Sequence, residues 1–149
     1  MADYKIKYSA SSTPIETITA NDGTTKTSLV HSNIDKSIGG GIEIACGATA
    51  TNVAYKEYTT TTTTTVDLDT ITGLTLTGLD FLMVKIKAAG STGTPDCTVE
   101  VGGQIASKLI GAGDVCLLRP SAAAGNTIEI FSSGAAEVAK IDIMYGIAS

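Results

Sequence analysis

Asp80-Phe81-Leu82-Met83-Val84-Lys85-Ile86-Lys87 is the stretch from which the fold is most directly read. Leu82, Val84 and Ile86 recur with period two, and Lys85 and Lys87 fall on the opposite parity. Successive side chains of a strand point to opposite faces, so this order gives one buried and one wet face. The same alternation recurs along the chain. Cys97, Val99 and Val101 alternate with Thr98 and Glu100, Ile42 and Ile44 flank Glu43, Leu74 and Leu76 flank Thr75, and Ile128 and Ile130 flank Glu129. Near the C-terminus Ile141, Ile143 and Tyr145 oppose Lys140, Asp142 and Met144. No window sustains a helical i, i+3, i+4 stripe, so an all-β fold is expected.

Turn signals separate these segments at sandwich-like spacing. Asn21-Asp22-Gly23 is the strongest, because Asp-Gly readily takes the left-handed conformations of a hairpin. Gly39-Gly40-Gly41, Gly90 to Pro95, Gly102-Gly103, Gly111 to Gly113, Ala122 to Asn126 and Ser132 to Gly134 are the others. Pro120, after Arg119, should end the strand through Val115, Leu117 and Leu118. From about Gly73 onward five or six strands with short connections are expected. Residues 1–40 are more polar, with sparse apolar positions such as Ile15, Ile18, Leu29 and Val30. They read as an extended N-terminal arm or added strands, and residues 41–149 as a β-sandwich.

Composition narrows the function. The 149 residues are one domain's length, enough for a core without metal or disulfide. The net charge of −5 opposes phosphate tracking on nucleic acid and docking on anionic lipid. Cys46, Cys97 and Cys116 are widely spaced, with no C-x-x-C, and read as buried free thiols. The N-terminus has no signal-peptide core and no run is long enough to span a membrane, so a soluble cytoplasmic product is expected.

Residues with chemistry are few. His31, the one histidine, sits between Val30 and Ser32 in the polar region and reads as an exposed side chain. No G-x-S-x-G, Walker-type or H-E-x-x-H motif occurs, and no helix is expected after Gly39-Gly40-Gly41 to bind phosphate. Asp67 and Asp69, two apart on an expected strand, could share a surface cation, but read first as solvated carboxylates. Glu137 and Asp142 read as outward charges. Thr59 to Thr65 are seven consecutive threonines. An ice-binding face would need further T-x-T rows, and Thr75 and Thr77 supply one, so a strand with alternate hydroxyls in water is expected, running on into Val66-Asp67-Leu68. Tyr55 and Tyr58 lie three apart, on opposite faces of a straight strand, and Trp is absent, so a sugar platform is left without support in the sequence. No catalytic, cofactor or metal residue is assigned, and a non-enzymatic protein is expected.

One cadence stands out over residues 60–149. It runs Val66-Asp67-Leu68, Gly73-Leu74-Thr75-Leu76, Leu82-Met83-Val84-Lys85-Ile86-Lys87 and Val99-Glu100-Val101-Gly102-Gly103. Leu117-Leu118-Arg119-Pro120, Asn126-Thr127-Ile128-Glu129-Ile130 and Lys140-Ile141-Asp142-Ile143-Met144-Tyr145-Gly146 complete it. This resembles the jelly-roll accessory proteins of tailed-bacteriophage virions, particularly capsid decoration (cement) proteins. The resemblance implies a jelly-roll-like antiparallel β-sandwich forming a homotrimer on the capsid exterior. There it would bridge major capsid protein subunits, having been made in the host bacterial cytoplasm. Residues 1–40 would be the element reaching a neighbour. The alternative is a receptor- or glycan-binding module of a phage tail or fibre, with Tyr55, Tyr58, Asp67 and Asp69 as its candidates.

Overall fold

The computed structural model describes residues 4–10, 15–19, 23–24, 26–30, 40–46, 52–61, 66–72, 79–120 and 128–147. The chain divides into two compact units, residues 7–43 and residues 1–6 with 44–149. Its first four strands are β1 (Lys5–Ala10), β2 (Ile15–Thr19), β3 (Lys26–Val30) and β4 (Gly40–Ala45). β2 and β3 form an antiparallel hairpin from Ile15↔Val30 to Thr19↔Lys26. Gly23 in its connection takes φ 71°, the left-handed region anticipated for Asn21-Asp22-Gly23. β1 and β4 form a second two-stranded sheet. The triple glycine was expected to be a turn. Instead Gly40 and Gly41 open β4, and Gly39 lies outside the described residues. A Cβ on Gly41 would sit 2.5 Å from the Tyr8 carbonyl oxygen, so this close approach requires glycine.

The larger unit contains β5 (Val53–Thr59), β6 (Val66–Asp67), a short helix α1 (Leu68–Thr72), β7 (Leu79–Ala89), β8 (Asp96–Val101) and β9 (Gln104–Ile110). β10 (Val115–Leu118), β11 (Ile128–Phe131) and β12 (Ala139–Ile147) follow. Its strands form two antiparallel four-stranded sheets, ordered β10-β7-β12-β5 and β6-β11-β8-β9. Among the pairings, four are nested: β5 with β12, β6 with β11, β7 with β10, and β8 with β9. The innermost connection, Gly102-Gly103, is a two-residue turn with φ of 60° and 75°, as a primed hairpin turn needs. β10 ends at Leu118, just before Arg119-Pro120.

One core joins both sheets. Leu82, Val84 and Ile86 meet Ile141, Ile143 and Tyr145 from the first sheet, with Cys97, Val99, Leu109, Ile128 and Ile130 from the second. α1 adds Leu68 and Ile71, three apart on one helical face. The alternation read from sequence therefore holds in β7, β11 and β12, with two exceptions elsewhere. Thr98 is buried on the outer face of β8, where the register sets it between Phe131 and Lys108, whose bulk covers it. Ile42 is 44% exposed although Ile44 is buried, because a two-stranded sheet offers little surface to cover it. Leu74 and Leu76 lie outside the described residues.

The threonine run departs from expectation. β5 ends at Thr59, and Thr60 is buried with its hydroxyl engaged between sheets. The Ala139 N–H donates to Thr60 Oγ1 at 2.9 Å, and Thr60 and Ser132 share a hydroxyl–hydroxyl bond. Ser132 Oγ in turn donates to the Asp96 carbonyl at 2.8 Å, and the Ser133 N–H donates to Asp96 Oδ1 at 2.9 Å. This chain of bonds ties β12 to the ends of β8 and β11, so buried polar groups here are satisfied rather than orphaned. Thr62 to Thr65 lie outside the described residues.

On the outer face of the first sheet, Gly146 forms a socket. Its missing side chain leaves room for Ile6 and Cys46; a Cβ there would lie 2.6 Å from Ile6 Cδ1 and 3.0 Å from Cys46 Sγ. Ile6, Cys46 and the neighbouring Phe81 are all buried, and the Cys46 N–H donates to the Tyr4 carbonyl at 2.8 Å. We expect Gly146→Ala to destabilise the protein by about 1–3 kcal/mol through overpacking. Pairing it with Ile6→Ala should cost less than the sum of the two single changes in urea denaturation. Strict additivity would contradict the socket.

Candidate functional site

The strand registers set outward side chains in rows across each sheet, because directly opposed residues of an antiparallel pair share a face. On the first sheet, the row beside the socket is Tyr55, Met144, Met83 and Leu117, one from each of β5, β12, β7 and β10. Tyr55 is 53% and Met144 40% exposed, and Met83 and Leu117 are half-buried. The next row is Glu57, Asp142, Lys85 and Val115, the last 49% exposed. An apolar row therefore runs beside a charged one.

The charged row is locally ordered. Tyr55 Oη donates its one proton to Asp142 Oδ1 at 2.6 Å, with Glu57 Oε1 3.2 Å away as the longer arm of a shared bond. Lys87 pairs with Glu57 and lies 3.9 Å from Asp142 Oδ1. The hydrogen bond to Asp142 holds the Tyr55 hydroxyl above the usual tyrosine pKa. The Lys87 ammonium pulls the Glu57 carboxyl below its ordinary value, and Glu57 raises Lys87 in return. These groups are exposed, so their pairing orders side chains more than it stabilises the fold. Arg119, the one arginine, bonds Asp80 Oδ2 at 2.5 Å and ties the end of β10 to β7.

The outer face of the second sheet differs. Glu100 and Glu129 are opposed, the register continues from Glu129 to Asp67, and Ile105 flanks Glu100 on β9. Three acidic positions thus stand on adjacent strands, a juxtaposition of residues distant in sequence that no local motif announces. Ile105 is 66% exposed because β9 skips Ala106 in its pairing, Val99↔Ser107 being followed by Glu100↔Ile105. Without that bulge Ile105 would share the inward parity of Ser107 and Leu109.

The individual candidates separate. Asp67 ends β6 and Asp69 lies in α1, so the two do not share a strand face as expected. Tyr55 and Tyr58 do take opposite faces, Tyr58 packing on the core. Glu137 belongs to a short 3-10 turn, Ala135–Glu137, and Asp142 stands on the outer face within the Tyr55–Lys87 group. His31 lies outside the described residues. Among the described residues no group of three or more His, Cys, Asp or Glu is arranged to hold a metal, and no helix is long and apolar enough to cross a membrane. Cys46, Cys97 and Cys116 are buried free thiols, as anticipated. Burial pushes Cys97 up to about 12 and also raises Cys46 and Cys116. Comparison of the chain with protein-family models, curated proteins and solved structures found no match.

Two outcomes follow from this geometry. Like charges directly opposed across strands destabilise, so Glu129→Gln should raise stability by about 0.2–1 kcal/mol in urea denaturation; a loss would contradict the register. The three thiols should resist a thiol-specific reagent in the native protein and react on unfolding. Because native thiol pKa values are raised, their contribution to stability is present below the unfolded value near 9.0 and is lost as pH climbs from there toward about 12. Rapid native labelling at pH 8 would contradict their burial.

Proposed function

We propose that the larger unit is a jelly roll and that the protein is a non-enzymatic capsid decoration protein of a tailed bacteriophage. In this reading it is a homotrimer that binds the outer capsid surface and bridges major capsid protein subunits. The observation that carries the reading is the nested pairing β5–β12, β6–β11, β7–β10 and β8–β9, with successive strands alternating between the sheets except at the central β8–β9 hairpin. A double-sheet roll of eight strands is an architecture used by capsid proteins. Inert buried thiols and the outer apolar row support a role for surface over chemistry.

The mechanism is mass action on an assembled shell. A protein that binds only the assembled state stabilises it by its binding free energy. Several copies of one weak contact, linked in a trimer, raise the effective affinity without new chemistry. The tail- or fibre-module alternative loses support because Tyr55 and Tyr58 take opposite faces of β5 and Asp67 and Asp69 fall on different elements.

The test is co-sedimentation of the purified protein with undecorated capsids of the phage that encodes it, together with the capsids' heat stability. We expect saturable binding and a raised melting temperature of the shell. Absence of binding at micromolar protein would contradict the proposal. Specific glycan-array binding lost in Tyr55→Ala would replace it with the receptor-module reading.

A further inference from the structure

Four strands are sheet edges in the larger unit, and each is poorly suited to pair with another strand. β6 has two residues and β10 four, ended by Arg119-Pro120. β9 carries the Ala106 bulge and exposed Lys108. β5 sets Lys56 on its inward parity, opposite the buried Ile143, yet the lysine is exposed. Short strands, bulges and inward-pointing charges are devices that block edge-to-edge association.

The outer face of the first sheet has no such protection. Its apolar row, Tyr55, Met144, Met83 and Leu117, crosses all four strands, and Val115 extends it along β10. The row beyond Gly146 is already covered by Ile6 and Cys46, so the open row continues a surface that this chain already buries in part. Charge is divided across the face. Glu57 and Asp142 lie on β5 and β12, Lys85 and Lys87 on β7, and Lys140 lies one row further along β12. A rotation axis parallel to the strands brings one half of this face against the opposite half of the next copy. Carboxylates then meet ammonium groups around the apolar row, whether the ring has two members or three.

We infer that this face is a contact between copies of the chain, with Tyr55, Met144, Met83 and Leu117 at its centre and Glu57 and Asp142 opposite Lys85 of the neighbour. The inference rests on the homotrimer part of the proposed function; it involves no capsid, so its failure is read from the mass of the free protein and that of the virion reading from co-sedimentation. Light scattering behind a sizing column reads the absolute mass against the 15.1 kDa monomer. Wild type should be oligomeric, and Met144→Asp should weaken association at least tenfold. Lys85→Glu, at an exposed site where folding is not at stake, should do the same; Ile105→Asp, on the other sheet, should leave the mass unchanged. Lys85→Glu/Lys87→Glu and Glu57→Lys/Asp142→Lys should each weaken self-association. A monomeric wild type, or wild-type mass in both Met144→Asp and Lys85→Glu, would overturn the inference.

Discussion

The antiparallel pairing of β7 with β12 is the constraint from which both the interior and the outer face of the first sheet follow. Its register sets Leu82 beside Tyr145 and Val84 beside Ile143, all buried. The same register sets Phe81 beside Gly146, Met83 beside Met144, and Lys85 beside Asp142 on the outer face. Side chains in a strand have period two, so a slip of one residue would turn the core outward and the lysines inward. Burial of the inner set, worth about 1.5–3 kcal/mol per large aliphatic side chain, is what pins the outer set.

The rest of the larger unit is arranged around this pair. β5 and β10 extend the sheet on either side, and the second sheet closes the core through Val99, Ile128 and Ile130. At one end the Thr60–Ser132–Asp96 hydrogen bonds join the sheets. On the outer face, Gly146 admits Ile6 and Cys46, which explains why a glycine interrupts an otherwise well-filled strand.

Much of the fold was legible in sequence because burial on one face leaves a local period-two trace. Leu82-Val84-Ile86, Ile128-Ile130 and Ile141-Ile143-Tyr145 each carry it, and Gly102-Gly103 marks its hairpin. The exceptions arise from non-local causes. Thr98 is covered by neighbours on other strands, and Ile105 faces outward only because Ala106 is skipped. Leu68–Thr72 is too short for a helical stripe to declare itself. The surface was less legible still. The Tyr55-Met144-Met83-Leu117 row exists only once four strands are in register and the Asp67-Glu129-Glu100 row once three are, and Asp67 with Asp69 forms a pair only if both are assigned to one strand.

Cross-strand nuclear Overhauser effects between backbone protons of β7 and β12 test this account most directly. The account requires contacts of Leu82 with Tyr145, Met83 with Met144, and Val84 with Ile143. Contacts of Met83 with Ile143 or Tyr145 as its direct partner would mean a slipped register, and would remove both the core and the outer face described above.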